Sequence, residues 1–180
     1  MILKFLTAEQ GYEIFQKDMF RDFPEDEIKP WDVILRMVNA GEYDLLAAFE
    51  DDIMVGYAWI FRPDTEAVLI DYLAVLPQFR GTGVGTRMLS ALGKQYCAGG
   101  KRLLLESEYP ETAPEPSVAR RRLGFYARAG FCDTGVQVLL FGVRFCILSL
   151  GEDKAGKDHM EQLYRAMFPG EVFHRAVQFL

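Results

Sequence analysis

Histidine and cysteine are scarce: the 180 residues include two histidines, His159 and His174, and three cysteines, Cys97, Cys132 and Cys146. Neither histidine has HExxH or comparable ligand spacing, so no metal site is expected. An odd number of well-separated cysteines with no CxxC argues against a disulfide framework and for reduced thiols packed among apolar neighbours. Long apolar runs are also missing. None reaches the roughly 18 residues of a membrane span, and region 136–150 is interrupted by Gln137, Gly142 and Arg144. The opening MILKFLTAEQ lacks the basic start and long apolar middle of a secretory signal, which points to a cytoplasmic protein without a membrane partner.

Positive charge is the other deficit. Lys and Arg total 20 against 26 Asp and Glu, a formal charge of -6, and the longest basic cluster is the triplet Arg120, Arg121 and Arg122, read as a solvated helix face. Nucleic acid, whose binding depends on clustered cations, is excluded as the expected partner, and a cationic one suits this balance better.

What remains is a globular composition, 50% hydrophobic and 13% aromatic, at a length that suits one domain. A strand over 2–6 leads to Thr7 as helix N-cap, followed by Tyr12, Phe15, Met19 and Phe20 at helical spacing. The acidic loop FPEDEIKP comes next, then a helix over 31–39 stopped by Asn39 and Gly41. Apolar runs 45–49 and 53–61 flank Glu50, Asp51 and Asp52 as a hairpin, and 67–75 extends it into an antiparallel meander. Val84, Met88, Leu92 and Tyr96 recur every four residues on one helix face. A strand over 102–107, a helix capped by Ser117 and ended by Gly130, and strands over 131–134 and 138–148 follow. Met160, Leu163, Tyr164, Met167 and Phe168 mark a last amphipathic helix, stopped by Pro169 and Gly170.

The strongest chemical signal lies at residues 78–86, QFRGTGVGT, where strand character gives way to a glycine-rich turn and then a helix. Gly81, Gly83 and Gly85 remove Cβ atoms where successive amides meet a helix N-terminus, a cradle for a diphosphate that Arg80 and Arg87 can reinforce. The other reading is a turn needed only for packing. A Walker loop is excluded because no GK precedes Ser or Thr, and Thr86 stands where a dinucleotide fingerprint starting at Gly81 needs its third glycine.

This pattern resembles the GNAT superfamily of acetyl-CoA-dependent N-acetyltransferases. Its signature Q/R-x-x-G-x-G/A fits in two registers, Gln78-Gly81-Gly83 and Arg80-Gly83-Gly85, directly after the strand end Leu73-Ala74-Val75. The later helix end GFYARAGF, with Phe125, Tyr126, Gly130 and Phe131, and the strand element Gly56-Tyr57-Ala58 are similar to the family as well. The resemblance covers roughly residues 1–150, the acetyltransferase core, and leaves 151–180 as a helical extension packed on the core or on a second subunit of a homodimer.

The resemblance implies an α/β fold: a mixed, mainly antiparallel central sheet, splayed open between strands 67–75 and 102–107 and flanked by helices. Acetyl-CoA is the implied co-substrate. Its diphosphate would sit on the amides of Arg80, Gly81, Thr82, Gly83, Val84, Gly85 and Thr86, and its pantetheine arm against the main chain of Leu73 and Val75. Tyr126 matches the family's general acid. The family's strand-borne glutamate base corresponds to Leu69 here, so the base is open between Glu106, which shares a strand face with Leu104 and Glu108, and Asp71, which shares one with Leu69, Leu73 and Val75. Glu25, Asp26 and Glu27 on one side and Glu108, Glu111 and Glu115 on the other read either as solvated loop carboxylates or as an acidic mouth for a positively charged amine, with Tyr109 and Trp31 either walling it or simply packed. The expected reaction is direct acetyl transfer to a primary amine of a small molecule, peptide or protein; the alternative is an acyl-CoA-binding sensor without turnover.

Overall fold

A computed structural model describes residues 1–151, 156–168 and 170–180. Among the described residues, eight strands form one sheet in the order β1-β2-β3-β4-β5-β7-β6-β8, with helices α1–α7 connecting and flanking them. The registers β1/β2, β2/β3, β5/β7, β6/β7 and β6/β8 are antiparallel and β4/β5 is parallel, so the expected mixed, mainly antiparallel sheet flanked by helices is what the chain forms. Two compact units divide it: residues 1–64 with 71–91, and residues 65–70 with 92–180.

In the first unit β1 (Ile2–Phe5) leads to α1 (Ala8–Ile14), which opens with a reciprocal capping box between Thr7 and Gln10. The helical spacing read through Tyr12, Phe15 and Met19 is correct in outline, but Phe15–Met19 widens into a π-helical turn before the short α2 (Phe20–Asp22). That widening changes where the following side chains point. A 3-10 turn at Glu25–Glu27 precedes α3 (Trp31–Asn39), which buries Ile34 and Met37. β2 (Tyr43–Glu50) and β3 (Ile53–Phe61) form the expected hairpin, and its turn residues Asp51 and Asp52 both adopt positive φ, the geometry of a two-residue turn matched to strand twist.

β2 and β3 are buried along most of their length, with Leu46, Tyr57, Trp59, Ile60 and Phe61 at 0% exposure. A side chain at Gly11 on α1 would collide with Leu45, so helix and strand touch backbone to side chain. Gly56 on β3 is tighter still. A Cβ there would lie 2.5 Å from the Ala74 carbonyl oxygen of β4 (Ala67–Val75) and 2.7 Å from Met88 Sδ on α4 (Val84–Tyr96). The expected face of α4 is confirmed by the burial of Val84, Met88, Leu92 and Tyr96.

In the second unit the first residues of β4 pair with β5 (Arg102–Glu108), from Ala67↔Arg102 to Ile70↔Leu105. α5 (Pro116–Arg128) ends, as expected, before Gly130 at φ +91°. Its start differs: Pro116 occupies the first turn after Glu115, so Ser117 lies inside the helix and does not cap it. The last strands also divide differently. β6 (Phe131–Leu140) is one bulged strand, and β7 (Val143–Leu150) begins after a turn at Phe141 and Gly142, both at positive φ. The apolar run 138–148 thus belongs to two strands, because Gly142 supplies a hairpin turn within it. After β7 the extension forms α6 (Lys157–Met167), α7 (Glu171–Ala176) and β8 (Val177–Phe179); Pro169, expected to stop α6, lies outside the described residues. Among the described residues no helix is long and apolar enough to cross a membrane.

Replacing Gly56 by Ala forces backbone at Ala74 or the Met88 side chain to move. The expected loss is about 1–3 kcal/mol of stability, read as a lower midpoint in chemical denaturation. An unchanged midpoint contradicts the close approach.

Candidate active site

In the first unit, β4 runs to Val75, a 3-10 turn spans Pro77–Phe79, and the exposed residues 80–83 lead into α4. Gly81 and Gly83 have φ +78° and +81°, the region that disfavours a Cβ. The amides of the first helical turn have no carbonyl of their own helix to bond and carry the positive end of its dipole. Thr82 donates its hydroxyl to the Phe79 carbonyl at 2.7 Å, fixing the turn from within. A diphosphate fits such a surface: amides, no obstructing side chain at Gly81, and open solvent in front.

The two arginines expected to assist are each anchored by a carboxylate. Arg80 donates from Nε to the Val75 carbonyl at 3.0 Å and from Nη2 to Asp22 at 2.6 Å. Asp22, whose side chain is 1% exposed, also accepts from Arg21 and from the Tyr57 hydroxyl at 3.0 Å. Burial, and secondarily Asp22, pushes the Tyr57 phenol far above its ordinary range, so it serves there as a neutral donor. Arg87 grips Glu50 through Nε and Nη2 at 2.6 and 2.9 Å and donates from Nη1 to the Thr82 carbonyl at 3.2 Å. The hydrogen bond from Arg87 holds the Glu50 carboxyl below its usual value. Asp22 and Glu50 were not legible as site residues, because nothing in their spacing separates them from solvated carboxylates.

Asp71 lies on β4 with its side chain 3% exposed. One oxygen accepts from Lys29 Nζ at 2.7 Å and the other from the Tyr43 hydroxyl at 2.5 Å. Burial first and Asp71 next raise Tyr43 well above the ordinary tyrosine value, which keeps it a donor. The neighbouring Tyr72 hydroxyl accepts from the Lys29 amide and donates to the Glu27 carbonyl, tying the acidic loop to β4. Trp31, expected to wall a pocket, packs against Tyr12, Phe15 and Trp59 at 5.2–6.2 Å between ring centres.

The second unit carries Tyr126 and Glu106. Tyr126, on α5, packs against Phe125 and Phe131. Burial raises its phenol above the ordinary value, opposed by the charge of Arg122 one turn earlier. It therefore holds its proton throughout the neutral range. Arg122 donates to Glu108 at 2.7 Å and Arg120 approaches Glu111 at 3.6 Å, so two carboxylates of the expected acidic mouth are paired with α5. Tyr109 is covered by the Arg144 guanidinium at 4.1 Å. Glu106, half-buried on β5 opposite Ile147, accepts a hydrogen bond from Tyr164 of α6, a partner the sequence reading missed because Tyr164 belonged to the apolar stripe. Of the expected residues, Leu73, Val75 and 80–86 thus share one unit with Asp71, while Tyr126 and Glu106 share the other.

A family model described as an acetyltransferase (GNAT) domain matches residues 41–133. No curated protein matches the chain. Among solved structures, a protein described as a GNAT-family acetyltransferase from Bacteroides thetaiotaomicron has TM-score 0.75 at 20% identity, covering 94% of this chain and 97% of its own. A chimera of the Vibrio cholerae spermidine N-acetyltransferase has TM-score 0.61 at 12% identity over 83% and 93%. A Bacillus subtilis acetyltransferase in complex with CoA has TM-score 0.57 at 15% identity over 83% and 97%. At these identities the structures establish a common fold.

Gly83→Val is expected to weaken acetyl-CoA binding at least tenfold by calorimetry, because a Cβ there sits 3.1 Å from Arg87 Nη1 on a backbone at φ +81°. Gly142→Val, at φ +85° in the β6–β7 turn, carries similar strain and serves as the control with unchanged affinity. Equal affinities for Gly83→Val and the unaltered protein contradict the cradle.

Proposed function

The chain belongs to the GNAT family of acetyltransferases, and from that premise we propose that it moves the acetyl group of acetyl-CoA directly to a primary amine of a small molecule, peptide or protein. As a family member it is an acetyl-CoA-dependent acyltransferase. The observation that carries the finer reading is the exposed glycine turn opening α4, with both flanking arginines pinned to carboxylates. The amides of residues 80–86 take the diphosphate, and the main chain of Leu73 and Val75 takes the pantetheine.

The amine nitrogen attacks the thioester carbon, forming the C–N bond as the C–S bond breaks. Tyr126 gives its proton to the departing thiolate, and a carboxylate takes the proton lost by the amine. Glu106 is proposed for that role, with Asp71, whose two oxygens accept from Lys29 and Tyr43, as the alternative. A phenol raised by burial suits proton donation at neutral pH: the neutral form that acts as acid persists to a higher pH than an ordinary tyrosine allows. Most of the rate advantage then comes from positioning and from donors at the developing oxyanion.

A cationic acceptor is supported by the formal charge of -6 and by the polyamine named for the Vibrio cholerae neighbours. Free-thiol release from acetyl-CoA with a panel of polyamines, aminoglycosides, amino acids and peptides tests this reading directly. Tyr126→Phe is expected to lower turnover roughly a hundredfold while the calorimetric Kd for acetyl-CoA stays within twofold. With the intact tyrosine, turnover should show no alkaline loss from phenol ionisation below the ordinary tyrosine pKa of about 10. Equal turnover in the Phe variant removes Tyr126 from the mechanism.

A further inference from the structure

Among the described residues of the extension beyond the family's matched segment, Tyr164 reaches the candidate base. α6 is amphipathic, burying Met160, Leu163, Tyr164 and Met167 while Arg165 pairs outward with Glu161 at 2.7 Å. Tyr164 is 0% exposed, and its ring lies 6.1 Å from those of both Phe168 and Phe179. Phe179 belongs to β8, which pairs antiparallel with β6. Its hydroxyl donates to Oε1 of Glu106.

We propose that the C-terminal extension is part of the acetyltransferase machinery, with Tyr164 as the positioning residue that orients the Glu106 carboxylate to accept the proton of the incoming amine. The inference rests on the proposed role of Glu106. In this hydrogen bond the Tyr164 hydroxyl is the donor and the Glu106 carboxylate the acceptor, so the phenol directs the carboxylate without taking its place as acceptor. A fully buried ring in contact with two other rings gives that hydrogen bond a defined direction, and small displacements of a reacting group are costly. During transfer Tyr164 keeps its proton; Glu106 gains one from the amine, and the thiolate takes one from Tyr126.

The test uses the full chain, acetyl-CoA, and whichever amine of the panel gives the fastest thiol release, or water where no amine is faster. Tyr164→Phe should lower kcat at least tenfold with the KM for acetyl-CoA within twofold. In a Glu106→Gln background the same substitution should change kcat less than twofold, since there is no base left to orient. Glu106→Asp keeps a carboxylate but withdraws it from the phenol, and a loss of at least tenfold is expected there too, whether or not Tyr164→Phe folds. Unchanged kcat in Tyr164→Phe or Glu106→Asp, multiplied losses in the double variant, or a wild-type rate equal to that of Glu106→Gln each overturns the proposal. Those results with acetyl-CoA still bound leave the enzyme's wider assignment standing, whereas absence of calorimetric binding to the unaltered protein defeats that assignment itself.

Discussion

The missing side chain at Gly56 is the point on which the first unit is assembled. Strand β3 meets the end of β4 through the Ala74 carbonyl and the second turn of α4 through Met88, both at distances that only a hydrogen at Gly56 tolerates. The residues between those two contacts are the glycine turn. Its two ends are therefore seated on a common close contact at Gly56, while the turn itself is exposed. The positive φ values at Gly81 and Gly83 are held between rigid elements, which is the arrangement that preorganised anion binding requires.

Charge around the turn is handled in the same spirit. Exposed ion pairs contribute little to stability, so the pairing of Arg87 with Glu50 is better understood as control of direction than as a source of folding energy. Asp22 differs because it is almost wholly buried and gathers donors from Arg21, Arg80 and Tyr57. A carboxylate in that position would be costly without them. Its reward is that Arg80 reaches back to the Val75 carbonyl, and the strand end and the turn are joined by one guanidinium.

Much of this was legible in the sequence where a backbone rule left a residue-level trace. The hairpin at Asp51 and Asp52, the buried stripe of α4 and the glycine turn each followed from periodicity or from residues that tolerate unusual φ. Errors arose where two rules competed. Ser117 is a good cap in isolation, yet Pro116 beside it is better suited to a first helical turn. The apolar run through Phe141 read as one strand because its aromatic residue masked the turn that Gly142 makes possible. The π-helical widening at Phe15–Met19 had no signal, since its side chains keep an ordinary helical spacing. The partners of Asp71 and Glu106 were invisible for another reason: Tyr43 and Tyr164 lie 28 and 58 residues away from them, and their polar ends are hidden in apolar patterns.

That last failure explains why a motif can specify a reaction while leaving its base unassigned. Backbone amides and a turn recognise a diphosphate through local sequence, so this part of the site is written within one short segment. A proton acceptor needs only a carboxylate at the right place, and any strand passing that place can supply it. Leu69, the position the family resemblance implies for the base, is wholly buried, and the Glu106 carboxylate on the neighbouring strand accepts from a helix outside the matched family segment. Under the proposed role of Glu106 the orientation of the base has to come from outside the motif, and the buried phenol of Tyr164, packed near Phe168 and Phe179, is a physical means of supplying it.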